Sequence, residues 1–168
     1  GGILYVATHG SGSMDGKVHA VGEEATLAWS SVDAGAFHTV GIKSDGSLWA
    51  WGINTYRQLG DGTNDSRNTP AQIGSATNWT SVAAGYRHTL ALASDGSLWA
   101  WGHAVGDGTS DVRSTPTRIG SATNWTSIAA GNRNSFAIKS DGTLWGWGLN
   151  DSGELGDGTT TQRLSPIQ

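Results

Sequence analysis

Three features of the 168-residue sequence predict an all-β chain built from small four-stranded antiparallel sheets that recur along its length. The first is a repeated word. Residues 29–52 read WSSVDAGAFHTVGIKSDGSLWAWG, residues 79–102 read WTSVAAGYRHTLALASDGSLWAWG, and residues 125–148 read WTSIAAGNRNSFAIKSDGTLWGWG. The first two agree at 16 of 24 positions and the last two at 15 of 24, so one structural unit is being reused. The second feature is order. Asp45, Asp95 and Asp141 lie 50 and 46 residues apart, and each word is followed by a Gly-Asp-Gly-Thr loop (60–63, 106–109, 156–159) and then by one of the only three prolines, Pro70, Pro116 and Pro166. The four-residue difference lies in one loop, where residues 53–59 shrink to 103–105. The third is composition: 26 glycines and nine tryptophans with only 14% charged residues, which suits tight turns and aromatic packing and excludes a coiled coil or a strongly charged disordered chain.

Each unit resolves into strands in turn. Residues 81–84 form a short strand, and Gly85 just after it is expected to take a left-handed or tight conformation. Residues 88–93 form a second strand, and Asp95-Gly96 is a short hairpin signal. Residues 98–101 return, with Trp99 and Trp101 on one face and Leu98 and Ala100 on the other. Both faces are apolar, so this strand is expected to be covered on both sides. The proline then leads into a fourth strand, which must be an edge because proline has no N–H to give a ladder. Residues 1–28 fit the same ruler. Residues 2–7 resemble 46–51, Asp15-Gly16 falls where Asp61-Gly62 would, and 20–22 falls where 72–74 would, so this stretch reads as a degenerate half repeat. The expected organisation is thus 1–28 (outer strands of a blade), 29–78, 79–124 and 125–168, the last truncated at its end: about three and a half units. Four-stranded sheets at this period with two buried faces predict the radial stacking of a β-propeller, here as a partial ring of about 3.5 blades. The competing solenoid has shorter coils and aliphatic ladders.

Composition also limits function. With no cysteine there is no disulfide scaffold, CxxC zinc site, thiol nucleophile or c-type haem attachment. Ten Lys and Arg against 14 Asp and Glu give a net charge of −4, which argues against nucleic acid as a partner. No apolar run approaches the roughly 20 residues that cross a bilayer, so membrane insertion is not expected. The chain opens on glycine without an initiator Met or a basic leader, as a processed, trimmed or excised chain would.

The linked blocks Ala-Ala-Gly-x-x-His-Thr-x-Ala-Leu, Ser-Asp-Gly-x-Leu-Trp-Ala-Trp-Gly and Gln-Leu-Gly-Asp-Gly resemble the RCC1 repeat, in the bacterial form where LWAWG replaces YSWG. The resemblance is strong over 29–168 and weak over 2–28. It implies a seven-bladed propeller closed by strands shared between neighbouring repeats. About 3.5 blades do not close a ring. The missing blades then belong to the rest of a longer chain or to further copies, unless the chain stands as a capped arc.

The chemistry-bearing residues are mostly repeat words, and repeated residues are explained first by repeated structure. The Trp-x-Trp pairs, and Trp29, Trp79 and Trp125, read as blade packing. His38 and His88 share one repeat position, taken by Asn134 in the third. They read as a polar cap bonding backbone near the central channel and lack the spacing of zinc ligands. The Gly-Asp-Gly-Thr loops carry oxygen ligands of the kind calcium takes but no EF-hand pattern, and read as turns. The sequons at Asn78 and Asn124 each enclose a packing tryptophan. No catalytic constellation, cofactor motif or metal cluster emerges, so neither an enzyme nor a cofactor is expected. The informative positions are those that vary between units, because specificity on such a scaffold lies in loops. They are Phe37, Tyr86-Arg87 and Asn132-Arg133 after each inner glycine, and Tyr56, Arg57 and His103 beyond each Trp-Gly, with Asn54, Asn150 and Glu154 in the same loops. Tyr and Arg are common interface anchors. The expected function is a non-catalytic protein-binding or assembly scaffold with a protein partner at the rim loops, part of a bacterial cell-surface or secreted protein. The alternatives are a propeller-type enzyme inhibitor, like the β-lactamase inhibitor of this architecture, and a nucleotide-exchange factor for a small GTPase, against which the acidic balance counts.

Overall fold

The computed structural model describes residues 27–168. It contains three antiparallel four-stranded sheets. Blade one is β1 (Trp29–Ala34), β2 (His38–Lys43), β3 (Leu48–Gly52) and β4 (Arg67–Gln72). Blade two is β5 (Trp79–Ala84), β6 (His88–Ala93), β7 (Leu98–Gly102) and β8 (Arg113–Arg118). Blade three is β9 (Trp125–Ala130), β10 (Asn134–Lys139), β11 (Leu144–Gly148) and β12 (Arg163–Ile167). In every sheet the strands lie side by side in chain order. The half repeat read in 1–28 falls, but for its last two residues, outside the described residues.

The first strands adjoin one another from blade to blade, β5 touching both β1 and β9, so they form the inner edge and the proline-bearing fourth strands the outer one. Pro70 and Pro116 lie within β4 and β8, beside the points where the ladder with β3 or β7 shifts register. Among the described residues those outermost strands pair on one side only, so no second ladder needs the missing N–H.

The Asp-Gly hairpins are present but longer than the shortest form. Gly46 N–H donates to Lys43 O (2.9 Å) and Lys43 N–H to Ser47 O (3.0 Å), closing a three-residue loop in which Gly46 alone has positive φ. This is a type I turn followed by a left-handed bulge residue. Asp45 accepts from the Ser47 N–H (2.9 Å) and hydroxyl (2.6 Å), and the Trp49 indole N–H donates to the same hydroxyl (2.9 Å). The Ser-Asp-Gly word therefore also positions the first tryptophan of Trp-x-Trp.

The core lies between blades rather than within one. At the first junction Val40, Ile42, Leu48 and Leu59 meet Trp79, Val82, Ala91 and Trp101, with Trp99 partly covered. At the second, Leu90, Leu92, Leu98 and Val105 meet Trp125, Ala137 and Trp147, with Trp145 partly covered. The third strand of blade two, β7, thus buries Trp101 and part of Trp99 toward blade one, and Leu98 and Ala100 toward blade three. Trp29 packs on Trp49 and Trp51, with ring centroids 6.3 and 5.6 Å away, but is less covered than its counterparts. On the outer face of blade one it is 45% exposed, whereas Trp79 and Trp125 are 7% and 6% exposed. Val32 beside it, and Leu144 and Ile138 on the far face of blade three, are likewise exposed.

Candidate functional site

In an antiparallel meander the first-to-second and third-to-fourth connections lie at the same end of the sheet. Both sets of variable residues therefore share one rim, opposite the Asp-Gly hairpins. The glycine that ends each third strand ties the two sets together. Ile53 N–H donates to Phe37 O, His103 N–H to Arg87 O and Leu149 N–H to Arg133 O, at 2.9, 2.9 and 2.8 Å. A Cβ on Gly52 would lie 2.5 Å from the Phe37 carbonyl, at φ +109, so only glycine lets the chain turn there.

Five of the eight predicted residues converge. The Phe37 and Tyr86 rings meet edge to face with centroids 5.2 Å apart. The Arg87 guanidinium carbon lies 4.1 Å from the centre of Tyr56 and 5.1 Å from that of Tyr86. Tyr56 meets the His103 ring at 6.5 Å, again edge to face. The result is a continuous strip, Phe37–Tyr86–Arg87–Tyr56–His103, running across blades one and two. Phe37 is 49% exposed, and the other four are half-buried. The imidazole of His103 is held below its ordinary pKa, by partial burial first and then by Arg133 and Arg87. Arg133 therefore extends the strip electrostatically toward blade three. Arg57 is exposed and held at φ +60, where the third unit has Gly153 at φ +77. Asn132 enters through its backbone, its carbonyl accepting from Tyr86 N–H at 3.3 Å.

Other conspicuous residues are structural. The buried Asn54 side chain donates to Asp61 and to Thr63 O and accepts from Leu59 N–H; Asn150 does the same with Asp157, Thr159 O and Leu155 N–H. Neither faces a partner. Asp61 accepts from Thr63 and Asn54 through one oxygen and from Arg67 through the other; Asp157 repeats the arrangement with Thr159, Asn150 and Arg163, and Asp107 repeats it with Thr109 and Arg113 but without an asparagine. Burial, the largest influence on Asp61, raises its carboxyl pKa. The bonds from Thr63 and Arg67 together outweigh it and bring the pKa below its ordinary value. These oxygens already have donors, so the loops are closed turns and not open cation sites.

The two histidines correct one expectation. They bond to hydroxyls of the next blade and not to backbone. His38 Nε2 lies 2.7 Å from Thr89 Oγ1, and His88 Nε2 lies 2.9 Å from Ser135 Oγ. Thr89 gives its single proton to Gln58 O (2.8 Å), so His38 must donate from Nε2, which fixes its tautomer. Burial first, then for His88 the neighbouring His38, lowers both pKa values from 6.5 to about 4, and these are neutral stitches between blades. Three further stitches were not legible in the sequence. Trp101 Nε1 donates across the junction to Gln58 O (2.8 Å) and Trp147 Nε1 to Val105 O (3.0 Å). The Asp33 carboxylate accepts from Ala84 N–H at 2.7 Å. The tryptophans recur at one unit position without any sign of what they touch, and Asp33, where the other units have Ala83 and Ala129, does not recur. A cleft of about 320 Å³ between blades two and three is lined by Trp125, Trp145, Ile119 and Pro166. Among the described residues no group of His, Asp and Glu could hold a metal ion.

Comparison with known proteins places the architecture. Among solved structures the chain is similar to Prp20p of Saccharomyces cerevisiae, at 24% identity and a TM-score of 0.75, over 82% of this chain and 37% of that one. That structure is described with the binding of Prp20p to Gsp1p and histones. The chain is similar as well to human WBSCR16, at 24% identity and a TM-score of 0.77, over 85% and 40%. Yeast RCC1 (Prp20) bound to Kap60 matches at 23% identity and 0.72, over 82% and 36%. The chain thus spans less than half the length of each. No curated protein matches it. Regulator of chromosome condensation (RCC1) repeats match residues 45–92, 95–138 and 141–168, and a second form of the repeat matches 29–58 and 125–154. The first two of those matches each take the outer strands of one sheet and the inner strands of the next, so the family repeat straddles the blade junctions described above. On the sequence match and the blade architecture together, this chain belongs to the RCC1 repeat family.

Proposed function

We propose that the chain is a non-catalytic protein-binding scaffold in which the blades supply rigidity and one rim supplies the contact surface. The observation that carries this reading is the convergence of Phe37, Tyr86, Arg87, Tyr56 and His103, five residues outside the repeat consensus, into one partly exposed strip. Aromatic rings present large contact area at low entropic cost, and an arginine stacked on them is already ordered, which is the chemistry of interface anchors. Prp20p, which shares the fold, is described as binding Gsp1p and histones, which supports a protein partner here. The open faces bearing Trp29 and Val32, and Leu144 and Ile138, support completion of the ring by the rest of a longer chain or by further copies. The LWAWG form of the repeated word supports a bacterial source, for which a cell-surface or secreted setting is proposed.

The test is selection from a random phage-displayed peptide library on the immobilised chain, repeated with Tyr86→Ala/Arg87→Ala. Peptides enriched by the parent and lost on the double variant support the rim reading. Enrichment that is equal on both chains, or absent, refutes it. Inhibition of a β-lactamase or acceleration of nucleotide release from a GTPase, each abolished by the same variant, would select one of the two narrower alternatives.

A further inference from the structure

We propose that this rim recognises acidic peptide segments, with Arg87 as the carboxylate-binding group and Phe37 beside it as an apolar anchor. The inference rests on the protein-binding reading and names the partner chemistry it would take. The chain uses its arginines in two ways. Of seven, Arg67, Arg113 and Arg163 are each tied to a loop aspartate, and Arg118 donates to Ser121 O. Arg57, Arg87 and Arg133 remain. All three lie on one rim, and among the described residues none forms an ion pair or a side-chain hydrogen bond. A chain of net charge −4 thus gathers its uncommitted guanidinium groups at one edge.

Two features make this more than a solvated charge cluster. Arg87 is held between the Tyr56 and Tyr86 rings, and its Nε is buried without an acceptor. Stacking fixes the plane of a guanidinium, so its fork is ordered before a carboxylate arrives and less entropy is lost on binding. Arg57 keeps a left-handed backbone, φ +60, which is strained for a residue other than glycine, at a position where the third unit uses Gly153. Stability alone gives no reason for an arginine there. A peptide suits this surface better than a nucleic acid. The cations are interrupted by Phe37 and the tyrosines rather than set along a continuous track, and Asp151 and Glu154 belong to the corresponding loop of blade three.

The experiment is fluorescence anisotropy with three labelled probes: an alternating Glu-Leu peptide, the same peptide with Gln for Glu, and an oligothymidylate. The Glu peptide is expected to bind at least about tenfold more tightly than the Gln peptide, a difference of about 1.4 kcal/mol, and to weaken with added salt. Arg87→Lys keeps the charge but loses the planar fork, and is expected to weaken binding about tenfold. Arg57→Gly is expected to weaken binding while thermal stability stays level or rises, which a merely structural arginine would not do. Equal binding of the Glu and Gln peptides, indifference to Arg87→Lys, or failure of all probes overturns the proposal. Preference for the oligothymidylate overturns it in favour of nucleic acid. If the peptide library yields rim-dependent sequences without acidic bias, the protein-binding reading stands and only the acidic preference falls.

Discussion

Gly60 and Gly156 occupy the same position of the repeat and nearly the same backbone conformation, φ +78 and +69, yet differ in what lies beside them. A Cβ on Gly60 would lie 2.6 Å from Nε1 of Trp101, an indole with no exposed surface that is already bonded to Gln58 O. A Cβ on Gly156 would meet nothing within 4 Å. Both alanine substitutions place a β-carbon in the left-handed region, which costs about 1–2 kcal/mol. Only Gly60→Ala also drives a side chain into a filled junction, adding about 1–3 kcal/mol of overpacking. The expected losses are therefore about 2–5 kcal/mol for Gly60→Ala and about 1–2 kcal/mol for Gly156→Ala. Urea unfolding followed by tryptophan fluorescence, at a concentration where the chain is monomeric by light scattering, gives both values. Losses equal to within about 0.5 kcal/mol would refute the claim that the indole socket carries the blade junction.

The other contacts within and between blades carry further expected outcomes. Trp101→Ala is expected to cost about 3–5 kcal/mol in the same unfolding experiment. Trp99→Ala should cost about 1–2 kcal/mol, because Trp99 is only half-buried and its N–H bonds Ser97 of its own hairpin. Stability is expected to fall as pH drops from 6.5 toward 4. In that window the unfolded chain protonates His38 and His88 while the folded chain, with both pKa values lowered to about 4, does not, at on the order of 3 kcal/mol per histidine. Above 6.5 the profile is flat in these groups, and His88→Asn, which installs the residue of the third unit, should remove about half of the slope. Asp107→Ala leaves Arg113 and the Thr109 N–H without their acceptor and is expected to cost about 1–3 kcal/mol, read from the urea midpoint.

The repeat made the strands, their order and the apolar Trp-x-Trp and Leu-x-Ala faces legible, because alternation and turn signals are local and three copies remove most of the ambiguity of one. Local rules also identified the variable loops, since departure from a repeat is visible without any structure. What they could not show was contact across junctions. That Trp101 bonds Gln58 O, that His38 donates to Thr89, and that Trp29 stands open while Trp79 is covered depend on which blade lies beside which. Asn54 and Asn150 looked like surface variation and proved to be loop staples, because a side-chain amide reads the same whether it faces solvent or backbone. The rim strip is the clearest case. Tyr56 and Arg87 are 31 residues apart in the chain, and only the radial stacking of two sheets brings the guanidinium over the ring. Sequence periodicity determined the blade, whereas the packing of blade on blade decided which of its residues became core, stitch or surface, because burial depends on neighbours that are distant in the chain.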